Sequence, residues 1–253
     1  MSELILLSII QGVTEFIPIS SSAHLILASE FLEVNKNNIT LDISLHIGSF
    51  FAIIFYYTKN LENFLKNKKL LIKILLSSIP VTIFGIILIK LNILDYLRNY
   101  QVIGISTIVF GLLLYFSDLN KSQKIIKKDF NYKSALIIGL FQILSLIPGT
   151  SRSGITLTGA RFIGFNKIEA VKISFLTSIP ILFYASAYNL LKIIEENSFK
   201  ISTLNLLGII LSFFFSYLTI KFFLKFLERF NLTTFVIYRI ILGTLILIYV
   251  YVN

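Results

Sequence analysis

Six stretches of this chain are apolar almost without interruption, at residues 42–58, 70–91, 100–117, 170–191, 203–222 and 235–252. Each is close to the roughly 20 residues that a helix needs to cross the hydrocarbon layer of a bilayer. Two further apolar regions, 2–33 and 134–163, do not read as single spans. Each has room for two short helices, and each is interrupted by a proline with small polar residues, around Pro18–Ser22 and Pro148–Gly154. Proline removes a donor from the helical ladder. Backbone freed in this way at membrane depth is tolerated only where it is buried in protein or lines a cavity. The pattern predicts an all-α polytopic membrane protein with six full spans and two re-entrant helix pairs.

The basic residues test this layout. Loops 59–73, 118–133, 161–172 and 221–231 fall on one side and carry most of the 23 lysines and arginines. The other side holds Lys36, Lys90, Arg98, Lys192 and Lys200, while Arg152 and Arg239 lie inside segments. Cytoplasmic loops of membrane proteins carry the excess of Lys and Arg, so both termini are expected outside. The layout also implies a repeat within a single integral membrane domain, 1–253. Residues 1–117 hold one re-entrant pair and three spans, and residues 134–252 hold the same set inverted. FIPISSS at 16–22 aligns with LIPGTSR at 146–152 on the Ile-Pro pair. Inverted repeats with broken helices place their binding site near the midplane, where the repeats meet.

Composition narrows the chemistry. The chain is 56% hydrophobic and 14% charged, against about 25% charged in soluble domains, and its mean hydropathy is +0.84. Glu3 breaks the positive region that a removable signal peptide needs, so the first segment is expected to stay. With no cysteine, disulfides, zinc–thiolate sites and thiol catalysis are excluded. Two histidines, His24 and His46, argue against a multi-histidine metal site. The net charge of +10 is accounted for by basic loops at a membrane surface, not by nucleic acid. The many Phe and Tyr residues read as lipid-facing and interfacial.

An ionisable residue inside a membrane segment is costly and marks function by default. Glu15, His24 and Arg152 are of this kind, with Ser20, Ser21, Ser22, Ser151, Ser153 and Thr156 around them. Gln11 and Glu15, four residues apart, share a helix face. In PGTSRSGIT (148–156), Gly149 and Gly154 allow close backbone approach. Thr150 and the serines can cap a helix whose free N–H groups suit an anion. Arg152 adds a planar fork that matches phosphate. Together they describe a phosphate cradle, unless Arg152 only snorkels or pairs with Glu15. Glu15 reads as a general base or metal-leaning carboxylate, or as that counter-ion. The serine run reads as catalytic or as a polar turn. His24 is a proton carrier or a satisfied interfacial residue. His46, in LDISLHIGS, is expected to be structural.

QGVTEFIPISSSAHLIL (11–27) and SLIPGTSRSGITLTGARFIGF (145–165) resemble the two signature regions of the undecaprenyl pyrophosphate phosphatases, the bacitracin-resistance family, in the right order and separation. The resemblance implies hydrolysis of undecaprenyl diphosphate to undecaprenyl phosphate, which regenerates the lipid carrier of cell-wall polymers in the bacterial inner membrane. It places Glu15 on the second acid of the motif, Ser21 on the serine considered as nucleophile, His24 on the motif histidine and Arg152 on the phosphate-binding arginine. Gln11 falls on the first acid position, where members carry Glu or Gln. Gln11, Ser20, Ser22, Gly149, Thr150, Ser151, Ser153 and Thr156 become the expected substrate-binding set. Family activity is commonly tied to a divalent cation, magnesium or calcium, whose ligands are unassigned here; no organic cofactor is implied. The expected partners are a polyprenyl diphosphate and the bilayer, with a homodimer left open and an active site opening outward. Ser21 and water remain alternative nucleophiles. The rival reading is a transporter of an anionic lipid, which needs a cradle but not a Glu15–Ser21–His24 set.

Overall fold

The computed structural model of the protein describes residues 2–31, 39–121, 123–195 and 203–252. Lys36 and Lys200 of the charge count, and residues 32–33 of the first broken region, lie outside the described residues. The described chain is helical, with an isolated bridge between Lys124 and Phe165 as its β-type pairing.

The order begins with two short helices, α1 (Ser2–Thr14) and α2 (Ser21–Phe31). Two long ones follow, α3 (Ile39–Lys66) and α4 (Lys68–Lys90). A single turn, α5 (Ile93–Leu97), leads to α6 (Tyr100–Asp118), and another, α7 (Ile126–Asp129), to α8 (Tyr132–Ile143). Then come α9 (Arg152–Phe162), α10 (Lys167–Glu195), α11 (Thr203–Arg229) and α12 (Thr233–Val252). Six of these are long and apolar enough to cross a bilayer: Thr40–Tyr57, Lys68–Lys90, Tyr100–Asp118, Lys167–Tyr188, Thr203–Arg229 and Thr233–Val252. They fall on the six expected stretches. The two remaining regions each form two short helices with a non-helical break between them, at 15–20 and 147–151.

Asparagine side chains start helices α6 and α8. Asn99 accepts from Val102 N at the head of α6, and Asn131 accepts from Ser134 N at the head of α8. Both satisfy donors that a first helical turn leaves free. The helices then pack through small residues. On α3 against α11, Ser212 Oγ donates to Leu45 O at 2.6 Å and Ser216 Oγ to Ser49 Oγ at 2.9 Å. Gly104 and Gly243 let α6 and α12 approach closely. Small residues and interhelical hydroxyl bonds are how helices associate where lipid removes the hydrophobic drive.

The helix pairing crosses the sequence. α1 packs on α11, and α8 packs on α4. Gly12 faces Phe215 and Ser216, and Gly139 faces Ser77. The main core holds Phe16, Ile53, Ile138, Leu157, Phe175 and Phe223, and so joins the first break and helices α8 and α9 to α3, α10 and α11. Large apolar side chains such as Ile79, Ile83, Phe84, Ile241 and Leu245 point outward. This inversion of a soluble surface is expected of a lipid-facing wall.

Candidate active site

The two helix breaks meet. Each ends in a serine with positive φ, Ser20 at 78° and Ser151 at 68°, and each such serine immediately precedes a short helix. Left-handed backbone costs a non-glycine residue energy and persists only where its surroundings impose it. Here the serines also cap: Ser151 Oγ accepts from Gly154 N at 3.1 Å, and Ser20 Oγ from Ala23 N at 3.5 Å. Gly149, at φ 89°, has no room for a Cβ, which would run into Ser106 Oγ and Ile103 O of α6.

Arg152, the first residue of α9, is ion-paired through Nη2 to Glu15 Oε1. The side chain of Glu15 is 6% exposed and that of Arg152 13%. The other carboxylate oxygen of Glu15, Oε2, accepts from Ser21 Oγ at 2.8 Å and from Gln11 Nε2 at 3.1 Å. Four expected residues, Gln11, Glu15, Ser21 and Arg152, thus form one cluster drawn from both breaks. Ser153 fastens the breaks from behind, donating from Oγ to Ile17 O at 2.9 Å. The N–H groups of Ser151, Arg152 and Ser153 have no acceptor among the described residues, which leaves the start of α9 open to an anion.

Other expected residues sit differently. His24 is committed at both nitrogens: Nδ1 lies 2.7 Å from Ser20 O, and Nε2 2.6 Å from Tyr238 Oη. A carbonyl only accepts, so Nδ1 carries the hydrogen and Nε2 receives the phenol's. Thr156 Oγ1 lies 2.8 Å from Arg152 O and 2.7 Å from Ser174 Oγ, so it braces α9 against α10. Ser22 is exposed, 3.3 Å from Ser20 Oγ, and Thr150 Oγ1 is buried without a partner.

Two further residues stand at the site: His46, expected from the sequence to be structural, and Arg239, which was placed inside a segment without a role. His46 of α3 lies beside Glu15, with Nδ1 3.0 Å from Gln11 Nε2 and 4.0 Å from Glu15 Oε2. Arg239 of α12 is fully buried and donates to Pro18 O at 3.3 Å, Gly149 O at 3.0 Å, Thr150 O at 2.9 Å and Thr107 O at 3.1 Å. Each is an ionisable residue inside an apolar span, which was the signal that could have singled it out.

For a divalent cation the donor set is thin. Among the described residues, no three His, Cys, Asp or Glu side chains converge. Glu15 is already neutralised by Arg152, and a hard cation takes six or more oxygen ligands. These side chains do not form a resident metal cage.

Six apolar helices around a buried Arg–Glu–Ser cluster at two facing helix breaks define a multi-pass helical membrane protein with a polar, anion-suited site. Within that class, the chain belongs to the bacitracin resistance protein BacA family, whose model matches residues 4–245. It is 46% identical over 250 residues to the undecaprenyl-diphosphatase of Pelagibacter ubique (strain HTCC1062), covering 98% of this chain and 97% of that protein. It is 41% identical over 261 residues to undecaprenyl-diphosphatase 1 of Pseudoalteromonas translucida (strain TAC 125), with 98% and 97% covered. It is also 41% identical over 258 residues to the undecaprenyl-diphosphatase of Aliivibrio salmonicida (strain LFI1238), with 97% and 96% covered.

Proposed function

We propose that the protein hydrolyses undecaprenyl diphosphate to undecaprenyl phosphate and inorganic phosphate, recycling the carrier lipid of the cell wall and removing the target of bacitracin. The observation that carries the chemistry is the Glu15 carboxylate held between Arg152 and the Ser21 hydroxyl. A diphosphate entering the site competes with Glu15 for the Arg152 fork, because phosphate offers the same bidentate geometry with more charge. Arg152 and the open N–H groups of α9 then stabilise the charge that develops on the transferred phosphoryl group. Freed from Arg152, Glu15 takes the proton from Ser21, or from a water in its place. The new bond forms at the terminal phosphorus, and its bond to the bridging oxygen breaks, leaving undecaprenyl phosphate. On the serine route, water then releases phosphate from Ser21. His24, through the Tyr238–His24–Ser20 chain, steadies the turn that presents Ser21.

A transporter needs an anion cradle but no hydroxyl aimed at a carboxylate, and the Ser21–Glu15 contact favours hydrolysis. The polyprenyl tail is assigned to an apolar cavity of about 360 Å³ between α4 and α10, lined by Val81, Ile86, Leu146, Ile181 and Tyr184. Leu146 immediately precedes the second break, so one wall of this cavity continues into the segment that leads to Arg152.

The architecture we assign is one domain of two inverted repeats, 1–117 and 134–252, each a re-entrant pair followed by three spans. The exchange of partners between α1–α11 and α8–α4, and the positive-φ serine in each break, support it. The basic loops support an outward placement of both termini, and the first broken pair, which starts from that side, supports an outward mouth of the site.

The test is phosphate release from undecaprenyl diphosphate by purified protein in detergent, with and without EDTA. Wild type releases phosphate. Glu15→Gln and Arg152→Ala each lose at least about a hundredfold in kcat, the scale of removing one charge-stabilising group or base. Wild-type protein that folds but releases nothing overturns the reading in favour of lipid transport. Loss of release in EDTA assigns a divalent-cation requirement to the reaction.

A further inference from the structure

The imidazole with a free edge at this cluster belongs to His46, not to His24. Gln11 decides how His46 carries its hydrogen. Gln11 is fully buried, and its amide faces Glu15 Oε2 at 3.1 Å. Only the NH₂ end of an amide is tolerable against a carboxylate, so Nε2 is the atom that faces Glu15. The same nitrogen lies 3.0 Å from His46 Nδ1 and has a second hydrogen to give. Gln11 Oε1 is left buried without a partner, an unfavourable placement that shows the two donor contacts deciding the orientation. His46 Nδ1 is therefore an acceptor, and the ring's hydrogen is on Nε2. That Nε2 has no partner among the described residues, and the side chain is 35% exposed where Glu15 is nearly closed.

We infer that Gln11 fixes His46 as an Nε2–H donor that contacts the substrate's diphosphate beside Arg152, a role resting on the phosphatase reading for its substrate but on geometry for its donor. A glutamine at position 11 then has a reason of its own. A carboxylate there has no hydrogen to give, and would draw the imidazole hydrogen to Nδ1 and away from the substrate.

The test uses the two histidines of the chain. Protein labelled with ¹⁵N at histidine and held in detergent gives two ring systems, assigned by their loss in His24→Asn and His46→Asn. The geometry requires opposite tautomers, Nδ1–H for His24 and Nε2–H for His46. Methylenediphosphonate, a non-hydrolysable form of the head group, shifts Nε2 of His46, and Gln11→Glu moves the His46 hydrogen to Nδ1. In kinetics, His46→Asn keeps an acceptor near the Nδ1 position but removes the donor, and lowers kcat/KM about tenfold, the scale of one hydrogen bond to a charged group. His46→Gln, whose amide reaches the Nε2 position, recovers part of that loss. An Nδ1–H tautomer at His46 in wild type overturns the inference, as does an analogue that moves His24 alone. Phosphate release on the same samples separates the two readings. If hydrolysis proceeds while His46 is unmoved, only the contact falls. If His46 moves and nothing is hydrolysed, the phosphatase reading falls and the anion contact stands.

Discussion

At the scale of single residues, Arg239 shows how much of the site is held from outside the motifs. Its guanidinium is shared among four carbonyl oxygens, one from α6, one from the first break and two from the second. No carboxylate pairs with it among the described residues. It is a cationic staple, and the trans peptide geometry makes it directional. Drawing the Thr150 carbonyl toward α12 turns the Ser151 N–H the opposite way. Arg239→Ala takes a charged donor from all four carbonyls; Gly149 O keeps the Thr107 hydroxyl at 3.3 Å, but those of Pro18 and Thr150 have no other donor among the described residues, each worth about 1–3 kcal/mol. After relaxation, unfolding in mild detergent should show a loss of roughly 3 kcal/mol or more. Arg239→Lys should recover little, because an ammonium cannot span carbonyls on three segments. A wild-type melting profile for either variant would remove the staple from the account. Glu15, Ser21 and Arg152 were legible in the sequence because a proline, a serine run and a charge stand together in short strings. His46, Tyr238 and Arg239 were not, because what gives them meaning lies 35, 214 and 221 positions away.

At the scale of helices, the sequence was most informative where length alone decides. A run of about 20 apolar residues has few options in a bilayer, and all six expected stretches are helices. The breaks were legible too, because proline and small polar residues interrupt the helical ladder. The partners of each helix were not, since an apolar helix presents a similar face to lipid and to protein. Glycine settles the choice at one crossing. A Cβ on Gly48 would collide with Ile209 O and lie 2.8 Å from Ser212 Cβ, where α11 carries the serines that bond α3. Backbone there cannot give way without separating the helices. Gly48→Leu should therefore destabilise by more than the about 1–3 kcal/mol of ordinary overpacking. Because His46 is two residues away, it should also lower activity in the fraction that still folds. Gly85→Ala is the control. Its Cβ would meet only Leu146 Cδ2 at 3.6 Å, an ordinary contact, so stability should hold or rise by up to about 1 kcal/mol, the helix preference for alanine over glycine. Equal losses from both substitutions would mean that the α3–α11 crossing is not close.

At the scale of the whole molecule, the position of the charges turns the question of which way the site faces into a testable prediction. Lys121 is exposed beside the Arg161–Asp118 ion pair that ties the end of α9 to the end of α6, and Lys124 and Lys167 hold the neighbouring carbonyls of Ile163 and Phe230. This end is basic and should be cytoplasmic. Ser22 is exposed in the first turn of α2, in the broken region that the layout expects to open to the outside. The chain has no cysteine, so single-cysteine variants report without background. In intact cells, a membrane-impermeant maleimide should label Ser22→Cys and leave Lys121→Cys untouched until the membrane is opened. Lys133→Cys and Phe162→Cys bracket the second broken pair, at the start of α8 and the end of α9. If that pair enters and leaves on one face, both are shielded together with Lys121→Cys. If it crosses instead, the two report on opposite sides, the basic loops no longer share a face, and the inverted repeat falls. Shielding of all three with Ser22→Cys labelled would place the phosphate-releasing face outside, where the diphosphate head group must then be presented.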